Sequence, residues 1–236
     1  GYDFYMGKYE ITQAQWLALM GKWPRPGDGP HEVGDNYPAY YVSWNQWQNF
    51  ITALNQHITD TGQGPATFRM PSEAEWEYAC RAGSKSEYCY GSEPRSLGEH
   101  AWYADNAAKK THPVGEKKPN AWGLFDMHGN VAEWCNDRYG EDYYGKSSAE
   151  NPCGPEEGEQ YVLRGGAWNC SAGACRAARR VGEDPGFSDA CFARDAIGFR
   201  CVRRAPVAAA ESKGEGEEES EEDGKVDRKG NGGEGP

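Results

Sequence analysis

Residues 84–160 hold no sustained helical or strand periodicity, and glycine or proline interrupts them every few positions. So long an irregular stretch is uncommon in a folded domain unless it is functional or pinned by ions and hydrogen bonds. The stretch restricts the chain to loop-rich architectures. Composition agrees: 31 Gly and 14 Pro accompany 9 Trp and 14 Tyr. Leu, Ile and Val are sparse, so aromatic clusters rather than a helical bundle must form the core.

Five short regular pieces precede this stretch, two strands and three helices. Residues 5–11 alternate loosely and read as a strand. Thr12 with Gln15 has capping-box spacing, which predicts a helix to about Met20 with Gly21 as its stop. Residues 22–38 read as a loop. Ser43 with Gln46 repeats the box, and Trp47, Phe50, Ile51 and Leu54 then fall at i, i+3, i+4 and i+7, one buried helical face. Residues 68–70 read as a short strand. Ser72 with Glu75 opens a third helix, running to Ala82 and stopped by Gly83.

The 236 residues suffice for one large domain that needs no staples. No apolar run approaches the length of a membrane span. The first ten residues have no basic or apolar leader pattern, so the chain is expected to begin inside a domain. A net charge of -12 argues against a nucleic-acid groove, which needs a clustered basic face. Residues 207–236 contain no aromatic and hold 10 acidic against 4 basic residues. Such a segment cannot bury enough apolar surface to offset ordering entropy, so 205–236 reads as a disordered acidic tail.

Function is expected to concentrate in residues 162–203, which hold Gly165-Gly166, several arginines and four of the 8 cysteines. No CxxC pair or metal-knuckle array occurs, which argues against a structural zinc site. Cys170 and Cys175 are five residues apart, and two soft thiolates brought together select Cu(I). The alternative is a Cys175–Cys191 disulfide, which would stabilise by about 3 kcal/mol through loop closure. Arg164, Arg176, Arg179, Arg180 and Arg200 could cradle an anion, or could pair with acidic residues of the irregular middle. The loop FDMHGNVAEW offers a second metal site. Asp126 and Glu133 are hard oxygen donors there, and Gly129 and Val131 can present carbonyls to Ca2+. The alternative is that Asp126 caps a turn and Glu133 pairs with an arginine. The 5 histidines show no HxH or HxxxH spacing, and no nucleophile elbow supports a hydrolase.

Six blocks in order carry a family resemblance: MGKYEITQAQW (6–16), PAYYVSW (38–44), FRMPSEAEWEYACRAG (68–83), AWGLFDMHGNVAEW (121–134), VLRGGAWN (162–169) and IGFRCVR (197–203). Residues 1–204 thereby resemble the formylglycine-generating enzyme, or sulfatase-modifying factor, family. The resemblance implies an irregular α+β fold related to C-type lectins, with short strands and a few helices. It implies a copper-dependent oxidase that converts a cysteine of a sulfatase to formylglycine with O2. Cys170 and Cys175 would bind Cu(I), Cys170 would meet the substrate thiol, and Arg176 would position the peptide. It also assigns Ca2+ to Asp126, Gly129, Val131 and Glu133. Departures point to another class, a non-catalytic lectin-like module for a peptide, glycan or anionic ligand. Ala167 stands where the oxidases have Ser, Ala132 where they have Trp, and Arg176 follows Cys175 without the usual insertion. Cys80 and Cys201 match oxidase cysteines whose partners are absent, Ala177 occupying one such position. They are expected to be free and buried, or bonded to each other.

Overall fold

The computed structural model describes residues 2–23, 32–64, 67–186 and 194–205. The expected acidic tail beyond Ala205, and Cys191, lie outside the described residues.

The three capping boxes form as expected. Thr12 opens α1 (Gln13–Met20), Ser43 opens α2 (Trp44–Asp60) and Ser72 opens α3 (Glu73–Arg81), each with both reciprocal bonds. Each box satisfies two amide donors that a helix start otherwise leaves unpaired. Gly21 ends α1 in the left-handed region at φ 70°. At the end of α3 the left-handed turn begins one residue early, at Ala82 (φ 45°), with Gly83 continuing it. A four-residue helix, α4 (Leu97–His100), lies inside the irregular middle.

Two small sheets carry the rest. β1 (Phe4–Met6) and β2 (Phe68–Arg69) flank β7 (Val202–Arg204), all antiparallel. The second sheet runs β5 (Arg180–Glu183), β4 (Tyr161–Arg164), β3 (Ala132–Arg138), β6 (Ile197–Gly198), and only β3–β6 is parallel. The strand expected over 5–11 stops at Met6. Beyond it the chain leaves the ladder: Lys8 takes the Phe125 amide instead, while the Gly7 and Ile11 amides still reach the Cys201 and Phe199 carbonyls. The expected strand at 68–70 shortens to two residues. β3 lay unrecognised in the irregular segment, because its first four residues are all buried and show no alternation.

Aromatic residues fill the core as the composition requires. Phe199 packs edge-on against Trp16, Trp47 and Phe50, with ring centroids 5.0–6.0 Å apart. A second cluster joins Leu97, Tyr88, Trp134 and Leu163 to Cys170 and Cys175. This mixed, loop-rich α+β architecture is the fold expected. No helix among the described residues is long and apolar enough to cross a membrane.

Candidate functional site

The cysteine loop begins where β4 ends. Gly165 and Gly166 both take left-handed φ values, 91° and 71°, and turn the chain back on itself. Gly166 is required twice over, since a Cβ there would stand 2.8 Å from Cys175 Sγ. The turn is held by the Trp168 amide, which donates to the Asn130 carbonyl at 2.9 Å. Cys170 then donates its amide to the Ala167 carbonyl and accepts the Ala104 amide, both at 2.9 Å. A 3-10 turn over Ala172–Cys175 brings the second cysteine beneath Gly166.

Cys170 and Cys175 pack with Ala167 in one buried cluster, and the Cys170 thiol donates to Asn169 Oδ1 at 3.7 Å. Cys175 is wholly buried and Cys170 is 9% exposed. Burial pushes both thiols above their usual range, so each holds its proton. Cys175 is a free thiol; Cys191, its partner in the alternative bridge, lies outside the described residues. The donor type and the shared buried cluster suit Cu(I), which two soft sulfurs can hold. Cys80 and Cys201 are also free and buried, and pack in separate core clusters.

Arg176 does not point toward the sulfurs. It is exposed, donates from Nε to the Gly173 carbonyl and pairs with Glu87 at 3.2 Å. The guanidinium whose field lowers the Cys170 thiol belongs to Arg179. Arg164, Arg180 and Arg200 form ion pairs, but of these only Arg200 finds its partner, Glu133, in the irregular middle as expected; the others pair with α3. Buried Arg164 pairs with Glu73 and Glu77, and Arg180 pairs with Glu73 at 2.9 Å. Ala132 and Ala167, the two departures from the oxidase pattern, are both buried.

The residues assigned to calcium are engaged elsewhere. Glu133 receives Arg200 Nε and Nη2, each at 2.6 Å, and Trp76 Nε1 at 2.7 Å. Asp126 Oδ2 accepts the Gly115 amide at 2.7 Å, while its buried Oδ1 has no hydrogen-bond partner. Glu10, which sequence reasoning missed, lies fully buried and accepts the Val131 amide and the Asn130 side chain. Burial, then Asp126 and Glu133, hold its carboxyl well above the ordinary range. Burial raises Asp126 to about 6. One guanidinium thus stands among three buried carboxyl groups. Asp126, Gly129, Val131 and Glu133 do not fit a calcium ion in this arrangement, because the Arg200 fork occupies the Glu133 oxygens an ion would need. Among the described residues no group of three or more His, Cys, Asp or Glu is arranged to hold a metal ion.

A groove of about 1190 Å³ lies over β1, β2 and α3, and none of the cysteine-loop residues lines it. Its walls carry Tyr2, Tyr5, Tyr78 and Trp122, with Arg69 and Asn136 between them. These four aromatics are among the exposed large apolar side chains of the described residues. No sequence pattern signals this groove, because its walls come from five separated segments.

Buried His128 was also missed. Its Nδ1 lies 2.8 Å from the Cys175 carbonyl oxygen and its Nε2 accepts the Cys89 amide at 3.0 Å. Burial lowers its pKa to about 4, so the ring is neutral. Spacing rules for histidine pairs cannot find a ring whose partners are backbone groups.

Comparison with known proteins agrees with this fold. Residues 2–205 match the model of the sulfatase-modifying factor enzyme 1-like domain. A formylglycine-generating enzyme of Streptomyces coelicolor is 30% identical over 209 residues, 82% of this chain and 62% of that protein. The chaperone protein LppX of Paenibacillus barcinonensis is 30% identical, over 85% of this chain and 80% of that one. Among solved structures, Treponema denticola variable protein 1 superposes with a TM-score of 0.75 at 32% identity, covering 86% of this chain and 84% of its own. The chain spans less than two thirds of the Streptomyces enzyme's length, and the relatives carry names from different functional classes. The match over nearly all described residues establishes that the chain belongs to the sulfatase-modifying factor, or formylglycine-generating enzyme, family.

Proposed function

We propose that the chain is a formylglycine-generating-type oxidase, with Cys170 and Cys175 holding Cu(I) and a cysteine-containing polypeptide, such as a sulfatase, as substrate. The observation that carries this reading is the packing of two buried free thiols, Cys170 and Cys175, in one cluster beside the Gly165-Gly166 turn. Copper(I), when bound, would supply the electron path to O2. The chain's own residues bind and orient. Gly166 lets Cys175 pack beneath the turn. Cys170, the less buried of the two, is the sulfur a substrate thiol can meet. The Arg179 field favours its thiolate. Arg176 sits exposed beyond the cysteines, where a peptide can replace Glu87 as its partner.

The reaction balances with an added thiol as reductant. The substrate C–S bond breaks, one oxygen atom of O2 becomes the aldehyde oxygen and sulfur leaves as hydrogen sulfide. The other oxygen leaves as water, with two electrons and two protons from two thiol molecules that couple to a disulfide.

A second reading rests on Ala132 and Ala167. Both replace groups that the oxidase resemblance places in the pocket, and a non-catalytic binding module for a peptide, glycan or anionic ligand needs neither. One assay separates the two. Copper(I)-loaded protein with O2, excess thiol and a Cys-x-Pro-x-Arg peptide should yield peptide aldehyde by mass. Cys170→Ala and Cys175→Ala should each abolish it. No aldehyde from fully loaded wild-type protein would overturn the oxidase and leave the binding module.

A further inference from the structure

His128 joins the cysteine loop to a loop that follows α3, and its partners dictate its chemistry. The Cys175 carbonyl, 2.8 Å from Nδ1, can only accept; the Cys89 amide, 3.0 Å from Nε2, can only donate. The proton therefore sits on Nδ1 and the lone pair on Nε2. Both nitrogens are used by backbone groups, so the ring has no capacity left to take a proton from a thiol. Cys80 Sγ lies 3.8 Å from Nε2, and the Tyr88 and Tyr90 rings meet the imidazole edge-on with centroids 5.6 and 6.3 Å away. The ring is fixed on every side by packed groups.

We propose that His128 is the positioning residue of the cysteine pair: it ties the Cys175 carbonyl to the Cys89 amide and so holds the Cys175 sulfur in the buried cluster it shares with Cys170. The 3-10 turn needs such a tie. It spans only Ala172–Cys175, and its Ser171 cap makes no side-chain bond. Loss of the imidazole bond would free the carbonyl of the residue whose sulfur must stay in place. The proposal gives this role to the pair read above as the copper ligands, and its test does not depend on copper.

Three substitutions separate the two bonds. Asn can place an amide N–H where Nδ1 stands and keep the Cys175 bond. Gln can place a carbonyl oxygen where Nε2 stands and keep only the Cys89 bond. Phe keeps ring packing and loses both. The readouts are site-resolved alkylation of native protein by iodoacetamide, followed by peptide mass, and Cu(I) affinity against a chromogenic chelator. Phe50→Leu, in the separate Trp16–Trp47–Phe199 cluster, controls for general destabilisation. His128→Phe and His128→Gln should each raise the Cys175 alkylation rate about tenfold, as expected when one hydrogen bond against local opening is lost. His128→Asn should stay near wild type, as should Phe50→Leu. Equal Cys175 rates in His128→Phe and Phe50→Leu at matched loss of Tm would overturn the positioning role. If wild-type protein binds no Cu(I) while the alkylation contrast holds, the copper reading falls and the positioning role stands. Where copper does bind, His128→Phe should weaken it and His128→Asn should restore it.

Discussion

Arg200 decides the character of the loop that sequence reasoning gave to calcium. It is wholly buried, forks onto both oxygens of Glu133 and donates to the carbonyls of Gly7 and Phe125 at 3.0 and 2.9 Å. A planar guanidinium suits four acceptors in one plane in a way that a lysine ammonium cannot. Its charge also lowers the cost of keeping Glu10 and Asp126 nearby. Removing one partner of a buried pair leaves the other uncompensated, which typically costs about 3–5 kcal/mol. Arg200→Met should therefore lower unfolding free energy by about that amount in urea titrations, even though methionine fills much of the volume. A loss below about 1 kcal/mol, the range of a surface pair, would mean that the Arg200–Glu133 pair does not hold the loop together.

At the scale of elements, the helices were legible because their signals are local. Each capping box spans four residues and reads identically in sequence and structure. β3 was not legible, because burial on both faces removes the alternation that marks a strand. The site was half legible for the same reason: Cys170 and Cys175 are neighbours in sequence, while the Val131 amide meets Glu10 across 121 positions. The start of α3 shows how such a distant partner tunes an element. Asp137 on β3 accepts the Glu73 amide at 2.8 Å, and burial, then Glu73 and Glu75, raises its carboxyl to about 7, with Arg180 opposing. Between its ordinary value of 3.8 and about 7, the folded protein holds a proton that the unfolded chain has lost. This contribution to stability is therefore fully present at low pH and declines as pH rises through that window, by at most about 1.4 kcal/mol per pH unit. Tm should rise on acidification from pH 7.5 to 5.5, and Asp137→Asn, which keeps an acceptor oxygen, should lessen that slope. Parallel profiles for wild type and Asp137→Asn would show that Asp137 is ionised throughout.

At the scale of the molecule, ion pairs and aromatic packing stand in for regular secondary structure. Arg200 and Glu133 join segments far apart in the chain: the Gly7 turn, the 125 loop, β3 and, through Trp76, α3. Arg164 and Arg180 tie the second sheet to α3 through Glu73. A loop-rich fold needs such cross-links, because its backbone groups have few ladder partners. Calcium can serve the same purpose elsewhere by gathering carboxylates and carbonyls from separate loops. In this chain an internal cation already occupies that place, and a guanidinium on the chain cannot be removed by a chelator. Excess EGTA should therefore leave Tm unchanged in thermal unfolding followed by near-UV circular dichroism. A fall of several degrees, reversed by added Ca2+ and not by Mg2+, would mean that calcium displaces Arg200 from Glu133 in solution. Measured on Arg200→Met as well, the same titration becomes sharper. With the guanidinium gone, Glu10, Asp126 and Glu133 remain without their buried cation, so added Ca2+ should raise the variant's Tm while leaving wild-type Tm where it was.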